Sequence, residues 1–106
     1  MIQVKVVNTS TGETLIDRPA NDFHKAEFVK REKDGLYIQT AILEIEQGTT
    51  DVLDPLSELA ELEMTLSDSE LGVTKVVSNL EGYEYKTRQS PLSDQLTEQL
   101  TLEQRE

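Results

Sequence analysis

The stretch Asp54-Pro55-Leu56-Ser57-Glu58-Leu59-Ala60-Glu61-Leu62-Glu63-Met64-Thr65-Leu66 admits two readings, and the choice between them sets the fold class. Read with a period of about 3.6, Asp54 is an N-cap acid and Pro55 takes the first helical position. Leu56, Leu59 and Ala60 then form an apolar stripe, with Glu58 and Glu61 outside it. Read with a period of 2, Leu62, Met64 and Leu66 line one face of a strand. Both hold if a short helix runs into a strand. Further on, Ser90-Pro91 repeats the helix-start signal, and Leu92, Leu96 and Leu100 recur every four residues. That spacing predicts a narrow apolar stripe on a C-terminal amphipathic helix.

Around these two segments the chain is rich in strand signals. Ile2, Val4 and Val6 alternate with Gln3, Lys5 and Val7, and the turn formers Asn8 to Gly12 lead into Glu13 to Asp17, predicting an N-terminal hairpin. In residues 22–33 Asp22 could cap a helix carrying Phe23, Ala26 and Val29. The preferred reading is a strand turned by Asp34-Gly35 into the long β-rich run Leu36 to Glu46, with a short helical turn at 21–26. Gln47 to Thr50 and Asp68 to Gly72 are turns, Val73 to Asn79 is a strand, and Glu81-Gly82 marks a turn or bulge before Tyr83 to Lys86. The two helix starts decide for an α+β fold, a small antiparallel sheet of about five strands with one or two short helices. The alternative is an all-β sandwich or barrel with a C-terminal helix. Residues 1–89 read as a single acidic α+β domain, and 90–106 as a C-terminal amphipathic helix or tail.

The length of 106 residues suits one core, and the five aromatic residues (Phe23, Phe28, Tyr37, Tyr83 and Tyr85) make that core aliphatic. The absence of cysteine removes disulfides, thiolate metal sites and cysteine nucleophiles together. With no secretory pattern at Met1-Ile2-Gln3-Val4 and no long apolar run, the chain is expected to be cytoplasmic and to have no membrane partner.

Charge separates the two halves. Residues 1–43 balance six bases against six acids, so the whole net charge of −11 lies in residues 44–106. From Glu44 to Glu70 there are nine acids and no Lys or Arg: Glu44, Glu46, Asp51, Asp54, Glu58, Glu61, Glu63, Asp68 and Glu70. Such a run repels phosphate backbones and anionic membrane, so direct nucleic-acid binding is not expected.

Catalytic chemistry finds little to work with. His24 is the only imidazole and no G-x-S-x-G frames a serine, so it reads as a surface or hairpin-edge histidine. Carboxylate pairs are plentiful but fall at positions expected to face water, which leaves their acidities alike. Neither the Asp51, Asp54, Glu58 group nor Asp68-Ser69-Glu70 matches a calcium loop. The glycines stand singly, without a phosphate cradle. No cofactor or metal is expected.

Two binding features are left. The acidic residues predict a face that steers and docks a basic protein partner, and the protein is expected to be a non-enzymatic adaptor or inhibitor. In a sharper form the carboxylates imitate a phosphate row, as small acidic proteins of phages and mobile elements do, and the partner is a nucleic-acid-binding protein. The stripe Leu92, Leu96 and Leu100 supplies the other feature. As a docking or self-associating helix it would join the chain to a larger assembly as a structural subunit.

Overall fold

The computed structural model describes residues 1–46, 53–89 and 96–105. Among these residues seven strands make one antiparallel sheet in the order β2-β1-β5-β6-β7-β4-β3. They are β1 (Ile2–Asn8), β2 (Glu13–Pro19), β3 (Lys25–Lys33), β4 (Leu36–Glu46), β5 (Leu62–Asp68), β6 (Val73–Gln89) and β7 (Leu96–Gln104). The only helical turns among the described residues are 3-10 turns at Ala20–Asp22 and Asp54–Glu58. None of the helical segments is long and apolar enough to cross a membrane.

The α+β expectation is therefore overturned, and both predicted helices are corrected. Asp54-Pro55 does start a turn, but it stops after five residues; Leu59 is extended, and its carbonyl accepts from the Gly82 N–H at 3.0 Å. The strand reading holds beyond it, with Leu62 and Met64 buried on one face of β5. The described part of the C-terminal segment is not a helix. Residues 96–104 form β7, hydrogen-bonded to β6 on one side and β4 on the other. A leucine spacing of four is also twice the strand period of two, so Leu96 and Leu100 share a face in either structure. Leu100-Thr101-Leu102, with both leucines fully buried, is the strand signature. The all-β alternative agrees with the described residues in its strands and fails only in its C-terminal helix. The two N-terminal hairpins form as read, with Asp34 and Gly35 both at positive φ in the β3–β4 turn.

The sheet is open but bent over on itself. β5 pairs with β6 from Val73 to Leu80, and β7 pairs with β6 from Leu80 to Gln89. One 17-residue strand thus belongs to two layers, β2-β1-β5-β6 and β6-β7-β4-β3. The crease carries Asn79 at φ 58 and a register shift between Gly82 and Glu84, features that let a strand turn a corner. The connection from β2 to β3 requires the bend. Flat, the two edge strands would stand about 29 Å apart across six spacings. The chain from Pro19 to Lys25 covers at most about 22 Å in six steps.

Between the layers lie Val4, Val6, Ile16, Met64 and Val77 from the first and Ala41, Leu43, Ile45, Leu100 and Leu102 from the second. Across this core the Lys75 ammonium of β6 lies 5.4 Å from the Phe28 ring centroid of β3. The turn at Asp54–Glu58 closes one side, with Leu53 and Leu56 buried. It fits because Gly82 has no side chain; a Cβ there would collide with the Ser57 carbonyl.

Candidate functional site

Alternation along the strands sorts the charges. Residues paired across β3, β4, β7 and β6 share a face, and those next to Ala41, Leu43, Leu100 and Leu102 point away from the core. On that outer face, from one edge of the layer to the other, stand the bases Lys25, Arg31, Lys33, Lys86, Arg88 and Arg105. The acids Glu27, Glu44, Glu46, Glu81, Glu84 and Glu103 share it. Among the described residues six of each cancel, so this face carries no net charge. The face is held as a mosaic of ion pairs: Lys33–Glu103 at 3.3 Å, Lys86–Glu84 at 3.4 Å, Arg105–Glu81 at 3.6 Å and Lys25–Glu27 at 3.9 Å. His24 Nε2 lies 3.5 Å from Glu46 at its margin. The hydrogen bond that Lys33 donates to Glu103, together with the negative charge of that carboxylate, pushes the Lys33 ammonium above the ordinary lysine range.

The predicted acidic face is thus broken up. Glu44 and Glu46 belong to the neutral mosaic. Glu63, on the outer face of the other layer, accepts from the Ser78 hydroxyl at 3.0 Å. Asp68 works at the β5–β6 turn, where its Oδ1 accepts from the backbone N–H groups of Glu70 and Leu71 and lies 3.6 Å from the terminal amine of Met1. Partial burial pushes the Asp68 carboxyl up, but those N–H donors and the amine outweigh it and hold it below the usual range. Glu70 lies 3.5 Å from the same amine. Asp51 and Leu92 lie outside the described residues.

Asp54, Glu58 and Glu61 follow one another along and just after the 3-10 turn, and Glu13, which the sequence run did not include, stands at the same end of the sheet as Glu61. The Glu61 carbonyl accepts from both the N–H and the hydroxyl of Thr9, at 2.9 and 2.8 Å, which fastens this segment to the β1–β2 turn. Asn8 pairs with Glu13 on one side and Leu62 on the other, bringing Glu13 to the same end. All four side chains are exposed, and none makes an ion pair among the described residues. Arg18 is the nearby base, lining a cleft of about 350 Å³ with Pro55, Leu56 and Leu15. The register of β1 with β5 carries the signal for Glu13, and no local pattern in the sequence reveals it.

Of the leucine stripe, two members lie among the described residues, and they differ in exposure. Leu100 is fully buried, and Leu96 is 41% exposed at the start of β7. Among the described residues one carboxylate is buried: Glu98, beside Leu100 on the core face, accepts from the Tyr85 hydroxyl at 2.5 Å. Among the described residues no cluster of His, Cys, Asp or Glu is arranged to hold a metal ion. No protein-family model, curated protein or solved structure matches the chain.

Proposed function

We propose that the chain is a non-enzymatic binding protein, an adaptor or inhibitor, that docks a basic protein surface through the acidic rim formed by Glu13, Asp54, Glu58 and Glu61. The observation that carries this reading is the segregation of charge. One wall carries as many bases as acids, with four ion pairs among them, while the rim leaves its carboxylates exposed and without ion pairs among the described residues. Self-repulsion among unpaired acids is mildly destabilising, and an approaching cationic surface relieves it while being steered by the field. If the partner is a nucleic-acid-binding protein, the rim acts as a phosphate mimic, and DNA or RNA competes for the same surface.

The test is a pull-down with the full chain, washed at low salt and then at about 0.5 M, where the Debye length is about 4–5 Å. A basic protein released by salt and lost with Glu58→Lys and Glu61→Lys, but kept with Glu44→Lys and Glu46→Lys, is the expected result. Retention through both treatments counts against acidic docking. The reading as an assembly subunit loses its proposed joint, because residues 96–104 are an internal strand.

A further inference from the structure

Side chains on the water side of a sheet are ordinarily accessible, yet Thr40, on the outer face of β4, is only 1% exposed. It stands between Val29 of β3 and Glu103 of β7. Its hydroxyl has no hydrogen-bond partner. A buried polar atom left unpaired is destabilising and uncommon, so its presence calls for an explanation. Thr40 lines a cavity of about 200 Å³ together with Arg31, Lys33, Ile38, Tyr83 and Glu103. Four neighbouring strands therefore contribute to its walls. Lys33 is committed, 3.3 Å from Glu103 and 5.8 Å from the Tyr83 ring centroid. Arg31 makes no ion pair among the described residues. One cavity thus holds an uncommitted guanidinium and an orphaned hydroxyl, two donors that call for an acceptor.

We propose that this cavity binds a carboxylate-bearing ligand, whose oxygens accept from Arg31 and from the Thr40 hydroxyl while Ile38 and the Tyr83 ring flank its apolar body. The charge of the lining selects a carboxylate over a phosphate. Arg31 and Lys33 are balanced by Glu32 and Glu103, so a monoanion can be held, whereas a phosphate ester brings about −1.5 to −2. The planar guanidinium fork also matches a carboxylate in two-point contact. Ile38 and Tyr83 favour an aromatic acid over acetate. This site is separate from the acidic rim, and neither reading depends on the other.

The experiment is an amide NMR titration of the full chain at constant ionic strength with benzoate, acetate and inorganic phosphate. Benzoate is expected to give saturable shifts centred on Arg31, Thr40 and Tyr83, with acetate and phosphate weaker. Arg31→Gln weakens benzoate binding roughly tenfold, the loss of a charge-assisted hydrogen bond. Thr40→Val weakens it severalfold while raising the thermal midpoint, because the orphaned hydroxyl is gone, and Thr40→Ser restores binding. An N-acetylated tripeptide ending in a free phenylalanine carboxylate separates the sources: tighter binding than benzoate assigns the site to a polypeptide terminus, weaker binding to a small free acid. Shifts that never saturate, phosphate binding as tightly as benzoate, equal binding of the amidated tripeptide and its free acid, or unchanged affinity in either Arg31→Gln or Thr40→Val would each overturn the assignment.

Discussion

Glu44 and Glu46 at one end of the acidic run, and Glu58 and Glu61 near its middle, carry the same charge in the same uninterrupted series, yet they end in opposite surroundings. The first pair sits in β4 on a face where Lys25 pairs across from Glu44 and His24 approaches Glu46. The second pair sits on and after a 3-10 turn whose acids form no ion pairs among the described residues. Charge counted along a chain is a poor guide to charge in space when strands are involved. Alternation sends every second residue to one face, and pairing then brings in neighbours from distant parts of the sequence. The mosaic owes its balance to β3 and β6, which lie on either side of β7 and β4 and supply five of its six bases.

The contrast between mosaic and rim is broken most severely by removing the layer that carries the mosaic. Leu100→Ala, at a fully buried position of β7, is expected to lower stability by about 2–5 kcal/mol in urea unfolding. Leu96→Ala, at a position 41% exposed, should stay within about 0.5 kcal/mol. Equal effects would be the signature of a helical stripe. The rim has its own weak point at Gly82. Gly82→Ala drives a Cβ into the Ser57 carbonyl and should cost about 1–3 kcal/mol by overpacking, with the Asp54–Glu58 turn displaced. A neutral result would show that the turn moves aside freely.

Charge reversal sharpens the comparison without touching the core. Against a captured basic partner, Glu58→Lys with Glu61→Lys should slow association roughly tenfold at low salt, as loss of electrostatic steering does. The same change at Glu44 and Glu46 should leave the rate nearly unaltered, and equal slowing by both pairs would erase the difference between mosaic and rim. The smallest effects are those of pH. The Lys33 ammonium is held above its ordinary value of 10.5, so its contribution is present below that value and is lost as pH rises through the raised one. The Asp68 carboxyl is held below its ordinary 3.8, so its contribution is present above that value and is lost as pH falls through the lowered one. Asp68→Asn should flatten the acid limb of a thermal-midpoint profile and leave the alkaline limb unchanged.

Local sequence was sufficient where the deciding interactions are local. The β1–β2 and β3–β4 hairpins follow from alternating apolar residues and from turns that need positive φ, met by Gly12 and by Asp34-Gly35. The face of β5 follows from Leu62 and Met64. It was insufficient where one pattern satisfies two periods, as at Leu96 and Leu100, and where a good helix start lacks the length to continue, as at Asp54-Pro55.

From sequence alone came the net charge, its concentration after residue 43, the aliphatic core and most strand positions, because composition and short-range periodicity need no knowledge of partners. Tertiary structure alone decided that residues 96–104 lie inside the sheet, that β6 turns from one layer to the other, and that Glu13 stands at the same end of the sheet as Glu61 while Glu44 and Glu46 stand among the bases of β3 and β6. Each of these depends on pairing between residues far apart in the chain, and the register of such pairing is set by the core as a whole and not by any one segment.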